Sequence, residues 1–263
     1  MGRRTFATCA VFLLSILITS GPLLAQGVCD LGNGPLNPAL PTAITPGGII
    51  EEFSRKEAIF KEARDRRGYT LDVTIQTLDN YGHVDGEYHL ISEITLNDAG
   101  KRVEKATYAP ESTLRRMLLS QEDLDDIRER IPFTLTPQDL PHFSVSYTGR
   151  QHVDQLNTYV FDVSPKNPKK EKNFFTGRIW VDDQDLMIVK TCGKPHEDEN
   201  ANSTKKNAIV SLTPLFVTYR EEVEGQYWFP TYANADELLR FPRNFVHIRE
   251  VVKYSNYRLL AKK

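Results

Sequence analysis

The chain carries none of the short signatures that announce a common chemistry. It has no G-x-S-x-G for a serine hydrolase, no H-E-x-x-H for a zinc protease, no P-loop, no G-x-G-x-x-G and no C-x-x-C. "HEDEN" at 196–200 starts like a zinc-protease helix but lacks the second histidine. His83, His89, His142, His152 and His247 are scattered, so no catalytic residue, metal ligand or cofactor is assigned; a hydrolase assembled from distant residues stays open as a third reading. No internal repeat is present. A basic excess is absent too: 33 Lys and Arg stand against 35 Asp and Glu, which gives no electrostatic reason for a nucleic-acid partner. No apolar run reaches the ~20 residues that a membrane-spanning helix needs.

The longest such run is Cys9 to Ile18, preceded by Arg3 and Arg4 and followed by Gly21, Pro22 and a small residue, Ala25. That layout reads as a secretory signal peptide over 1–25, with an uncleaved anchor as the alternative. Cys29 follows "QGV", a poor match to the box preceding a lipidated cysteine, so the expectation is a soluble, periplasmic protein. Cleavage leaves 263 − 25 = 238 residues and removes Arg3 and Arg4, giving 31 bases against 35 acids, a net charge of −4. Of three cysteines only Cys29 and Cys192 then remain. In an oxidising compartment they can close one disulfide or stay as two thiols.

Residues 26–48 are rich in Gly, Pro and Asn without a period and read as an irregular arm. From Ile49 to Arg67 a helix is expected, with Ile49, Ile50, Phe53, Phe60 and Ala63 roughly on one face and Gly68 as its stop. Alternation follows: Tyr69, Leu71, Val73 and Ile75 point one way, and Val84, Tyr88, Leu90, Ile94 and Leu96 continue the pattern. "NDAG" (97–100) is a turn before "KRVEKATY". Ser120 and Asp123 form a capping-box pair opening a second helix over 120–131, with Leu124, Ile127 and Ile131 as its stripe. From Phe143 onward β-branched and aromatic residues recur between turn-like joins, and 193–207 is a long polar loop. The sum is an α+β chain: one large curved antiparallel sheet with two helices early in the sequence.

"DDQD" at 182–185 sets three carboxylates within four residues. Oxygen ligands at that density could hold a hard cation, but the glycine and the longer spacing of an EF-type loop are missing. A hairpin turn is the favoured reading. More informative is the large apolar surface on few layers: Trp180, Met187, Phe216, Tyr219, Trp228 and Phe229 come from strands, and only two helices offer cover. They are candidates to line a ligand cavity, with a self-packed core as the alternative.

Three local stretches resemble the periplasmic carriers of the LolA/LolB family, with RseB/MucB-type domains as relatives. They are "SYTGRQHVDQLNTYVFDVSPK" (146–166), "GRIWVDDQDLMIVKT" (177–191) and "YREEVEGQYWFPTYANAD" (219–236), each matching a hairpin of that pattern. The order of leader, helix, sheet, second helix and strands agrees, over about 49–258. The resemblance implies a single LolA-like half-barrel domain over 49–263, an incomplete β-barrel whose concave face is covered by two or more helices. It implies a cavity for an acylated lipoprotein or lipid, with envelope membrane proteins as donor and acceptor in outer-membrane biogenesis. The arm 26–48 and the 193–207 loop depart from the compact carrier pattern, and no arginine is matched to the carriers' cavity arginine. An RseB-like sensor or protein-interaction module is the alternative function.

Overall fold

The computed structural model describes residues 28–97, 99–129, 132–167, 174–195, 214–240 and 244–260. The leader reading over 1–25, Ile131 and most of the 193–207 loop fall outside them. Among the described residues ten strands form one antiparallel sheet: β1 (Arg67–Leu78), β2 (Val84–Leu96), β3 (Arg102–Tyr108), β4 (Phe143–Val153), β5 (Leu156–Pro165), β6 (Phe175–Asp182), β7 (Ile188–Pro195), β8 (Phe216–Val223), β9 (Tyr227–Arg240) and β10 (Phe245–Leu259). Their order is β3-β2-β1-β10-β9-β8-β7-β6-β5-β4, open at both ends. Every neighbour is a hairpin partner except β1–β10, which joins the beginning and end of the sheet's chain path.

Helix α1 spans Pro46–Asp65 and α2 spans Gln121–Glu129. Helix α1 begins three residues before the apolar period because Thr45 caps it, accepting from the Gly48 N–H at 3.2 Å, and Pro46 presets the first turn. Gly68 does not stop it. The cap is Arg66, and Gly68 already lies in β1, where a Cβ would sit 2.7 Å from the Ile94 carbonyl oxygen. For α2 the capping box forms as the sequence suggests: Asp123 accepts from the Ser120 N–H at 2.7 Å, and Ser120 Oγ accepts from the Asp123 N–H at 3.2 Å.

Both helices pack on the same face of the sheet. Ile49 and Phe53 of α1 join Phe161, Ile179, Val181 and Ile188, and Phe60 meets Phe229 with ring centroids 5.5 Å apart. Ile127 of α2 joins Leu71, Val73, Ile75, Leu90, Phe216 and Val252. Strand alternation carries the opposite set to the other face, where Val160, Trp180, Cys192 and Val217 form their own buried cluster. The arm crosses that second face. The structure joins Cys29 to Cys192, and Asn37 exchanges backbone hydrogen bonds of 2.8 and 2.7 Å with Arg150 at the free edge of β4.

The sheet is not paired along its whole width. Strand β9 pairs with β10 only from Tyr232 onward, so 227–231 bonds to β8 alone. Aromatic rings fill the split: Phe229 stacks on Tyr257 at 4.6 Å, Tyr257 meets Tyr69 at 5.4 Å, and the Tyr257 hydroxyl donates to the Pro230 carbonyl at 2.7 Å. Proline is tolerated at 230 because no β10 acceptor faces it there.

Between β6 and β7 the backbones approach so closely that a Cβ on Gly177 would lie 2.1 Å from the Cys192 carbonyl oxygen. Gly177→Ala should therefore cost about 1–3 kcal/mol, the range for forced overpacking, read as a lower urea midpoint at unchanged m-value. An unchanged midpoint would show that the two strands can part at no cost.

Candidate functional site

The acidic knot resolves first. Asp182 is buried and accepts the Gln184 and Asp185 N–H groups at 3.1 and 2.7 Å. Asp183 pairs with Arg150 at 2.6 Å. The Asp185 carboxylate accepts from the Trp228 indole at 3.4 Å, while its carbonyl takes a hydrogen bond from Lys56 of α1. Each acid thus fixes the β6–β7 turn or ties it to a neighbour.

The structure does not bring the six aromatic and apolar candidates together. Met187 and Phe229 lie under α1 with Phe60, and Phe216 lies on the same face in the cluster beneath α2. Trp180 and Tyr219 are on the opposite face. Trp228 sits at the turn beside Asp185, half-buried between the two clusters.

Four buried ionisable residues, Glu57, Lys190, Arg220 and Glu250, went unnoticed in the sequence. Arg220 of β8 forms a bidentate pair with Glu57 of α1, at 2.7 and 3.1 Å, with both side chains essentially inaccessible, 1% and 0%. Arg220 also donates to the Phe133 carbonyl at 2.5 Å and lies 4.3 Å over the Phe60 ring. One guanidinium therefore fastens α1, the 132–135 segment and the sheet. Glu57 falls between Phe53 and Phe60 on the apolar stripe, and Arg220 alternates in step with Phe216, so both break their pattern at a readable position.

Under α2 the register assembles a different floor. One cross-strand row runs Ser92, Leu71, Tyr254; the next runs Leu90, Val73, Val252; the third runs Tyr88, Ile75, Glu250. Small residues, Ala233 and Ala235, continue it on β9. Ser92 Oγ and the Tyr254 hydroxyl are buried with no hydrogen-bond partner. Burial drives the Tyr254 hydroxyl far above its ordinary pKa, helped by neighbouring Tyr69. Burial, and secondarily the Asp123 carboxylate of α2, pushes the Glu250 carboxyl up to about 8. An apolar floor with a few converging polar atoms is how small-molecule and lipid sites are lined.

On the opposite face Lys190 is buried, its ammonium 4.7 Å from the Trp180 ring and 5.1 Å from the Tyr219 ring. It donates to Asn33 Oδ1 of the arm at 2.9 Å. Burial lowers its pKa to about 8, opposed by Asp30 and Asp154.

Two measurements follow. Arg220→Ala leaves Glu57 buried and unpaired and should cost about 3–5 kcal/mol, whereas the double change Arg220→Met with Glu57→Leu should recover most of it; equal losses in both variants would contradict the pairing. The folded chain keeps the Glu250 proton up to about pH 8, while the unfolded chain releases it above 4.5. Unfolding therefore releases a proton between these values, and Glu250 destabilises the fold progressively as pH rises through that window. Glu250→Gln should gain stability over wild type across pH 4.5–8, reaching roughly a few kcal/mol. A pH-independent difference in melting would contradict it.

No family model matches the chain, and no curated protein matches it. Among solved structures it is similar to a DUF1329 family protein from Desulfovibrio piger, at 15% identity and a TM-score of 0.35, over 77% of this chain and 90% of that one. It is also similar to a putative outer membrane lipoprotein-sorting protein domain from Vibrio parahaemolyticus, at 10% identity and 0.34, over 79% and 93%. The likeness to MucB is 9% identity at 0.24, over 78% and 90%. The lipoprotein-sorting domain and MucB are of the two kinds that the hairpin resemblance names.

Proposed function

We propose that this chain is a binding protein of the cell envelope that carries an acyl chain, of a lipid or lipoprotein, between the sheet and the cover formed by α2 and residues 109–119. In this reading the sheet is a half-barrel and the helices cover its concave face. The leader over 1–25 delivers it to the periplasm. The observation that carries the proposal is the pair of buried, unpartnered hydroxyls, Ser92 and Tyr254, on the apolar floor beneath α2. A folded core gains nothing from them. A ligand whose ester or amide head accepts their hydrogen bonds accounts for both.

The cover is suited to opening. Helix α2 has nine residues, shorter than an isolated helix needs for stability. It is anchored by Ile127 and by the Arg128–Glu104 pair at 2.6 Å. Displacing it exposes a face on which each buried CH₂ of cargo contributes about 0.8 kcal/mol, and the cover re-closing on that face competes with the cargo and allows release.

The second reading is a protein-interaction module. It is favoured by one feature: the β4 edge is occupied by the arm, whereas β3 (Arg102–Tyr108) is an exposed edge strand with Val103 and Tyr108 at the surface.

Native mass spectrometry of the exported protein, with organic extraction, separates the two. Bound lipid is the expected result. Titration with cis-parinaric acid should then show about tenfold weaker binding for the Ser92→Ala, Tyr254→Phe double variant, with thermal stability equal to or above wild type. Absence of both extracted lipid and parinarate binding would sink the carrier reading, and a co-purifying protein would support the second.

A further inference from the structure

The arm is fastened in a way its own composition does not support. Leu31 and Leu40 are 60% and 70% exposed, Val28 and Leu36 are exposed as well, and no residue of 28–43 is buried. Its noncovalent hold includes the Asn37–Arg150 backbone pair, the Gly34 N–H donating to the His152 carbonyl, the Gln151 amide donating to the Gly34 carbonyl and to Asp30, the Asn33 amide donating to Gln151, the Tyr147 hydroxyl donating to Ala39, and the Lys190–Asn33 and Arg178–Asp30 contacts. These are polar contacts at the surface, open to exchange with water. The Cys29–Cys192 bond is the arm's covalent tie to the sheet.

That bond is approachable. Cys192 is fully buried in β7 and Cys29 is partly buried, and both line an open cleft of about 470 Å³ on the arm face, with Asp30, Ser146, Asp162 and Arg178. Arg178 is the cross-strand partner of Cys192. Its guanidinium is paired with Asp30 at 3.3 Å and Asp162 at 2.9 Å, so the same side chain that lies beside the disulfide also ties down the arm.

We propose that the cleft is a thiol–disulfide exchange site and that the arm is a redox-released strap over Lys190 and its two ring neighbours, Trp180 and Tyr219. The reductant is a dithiol. One of its thiolates attacks Cys29 Sγ, the Cys29–Cys192 bond breaks, and Cys192 leaves as a thiolate that takes up a proton. The second thiol then attacks the mixed disulfide, closes the reductant into its own disulfide and releases Cys29 as a thiol. Two electrons and two protons pass from the dithiol to the cysteine pair. The arm then peels from the β4 edge, Asn33 leaves Lys190, and the ammonium between its two rings becomes accessible.

The test treats the oxidised full-length mature protein with dithiothreitol in denaturant-free buffer, traps thiols with iodoacetamide and follows Lys190 acetylation by sulfosuccinimidyl acetate. The disulfide should open with the far-UV circular dichroism unchanged. Lys190 labelling should rise at least about tenfold, while exposed Lys253 keeps its rate. Cys29→Ser should label at Lys190 like the reduced protein without any reductant. Three results would overturn the proposal: opening only at the rate of global unfolding, loss of the circular dichroism signal on reduction, or unchanged Lys190 labelling once the bond is open.

Discussion

The helix-covered face is organised around one guanidinium. Arg220 holds both carboxylate oxygens of Glu57, the Phe133 carbonyl and the face of Phe60. In the interior such a pair returns little net stability, because taking both ions out of water offsets their attraction. What it supplies is position. An apolar helix can slide over an aromatic floor at small cost, since Phe53–Phe161 and Phe60–Phe229 contacts tolerate many offsets. A bidentate ion pair admits one. With α1 pinned at its centre, the aromatic plug in the β9–β10 split falls directly beneath its C-terminal half, and Arg67 at the start of β1 lies over Tyr227 and Phe229.

A ten-stranded sheet has two faces to cover, and the chain covers them by unlike means. On one side α1 supplies Ile49, Phe53 and Phe60, fully buried, so its cover is held by apolar area. On the other an arm without buried apolar residues lies over Trp180 and its neighbours, held by a covalent bond and a polar network through Gln151, which accepts from the Trp180 indole at 2.6 Å. A cover held by area comes away gradually and reversibly. One held by a covalent bond and a polar network is fixed at discrete points.

Much of the fold was legible because period and parity are local. The β1 alternation from Tyr69 to Ile75 and the Ser120–Asp123 box both appear as the residues suggest. The start of α1 was hidden because Gly47 and Gly48 look like loop, and only the Thr45–Pro46 cap outweighs them. The candidate site was less legible. Trp180 and Tyr219 have the residue types of a cavity lining, but which face a strand side chain joins depends on bulges at Val189 and Thr231 that no composition reveals. Glu57, Arg220, Glu250 and Lys190 were readable in principle. Each is a charge in a slot where alternation or the helical stripe demands an apolar residue, and such a residue needs a partner from elsewhere or a shifted pKa. Sequence marks the slot and leaves the partner unnamed.

The two faces meet in β8. Tyr219 points to the arm face, where its ring covers Lys190, and the next residue, Arg220, points to the helix face and holds Glu57. The register breaks between them, where β9 inserts Thr231 as its extra residue. A regular strand would pair both residues in one ladder and average any strain along it. Here the bulge concentrates a change in pairing at the peptide between Tyr219 and Arg220. Lys190, tied to Asn33 of the arm, and Glu57 of α1 are thus held by adjacent residues of β8. The contacts that fasten the arm side and the clamp that fixes α1 therefore meet at one irregular step of the sheet, the register shift between Tyr219 and Arg220.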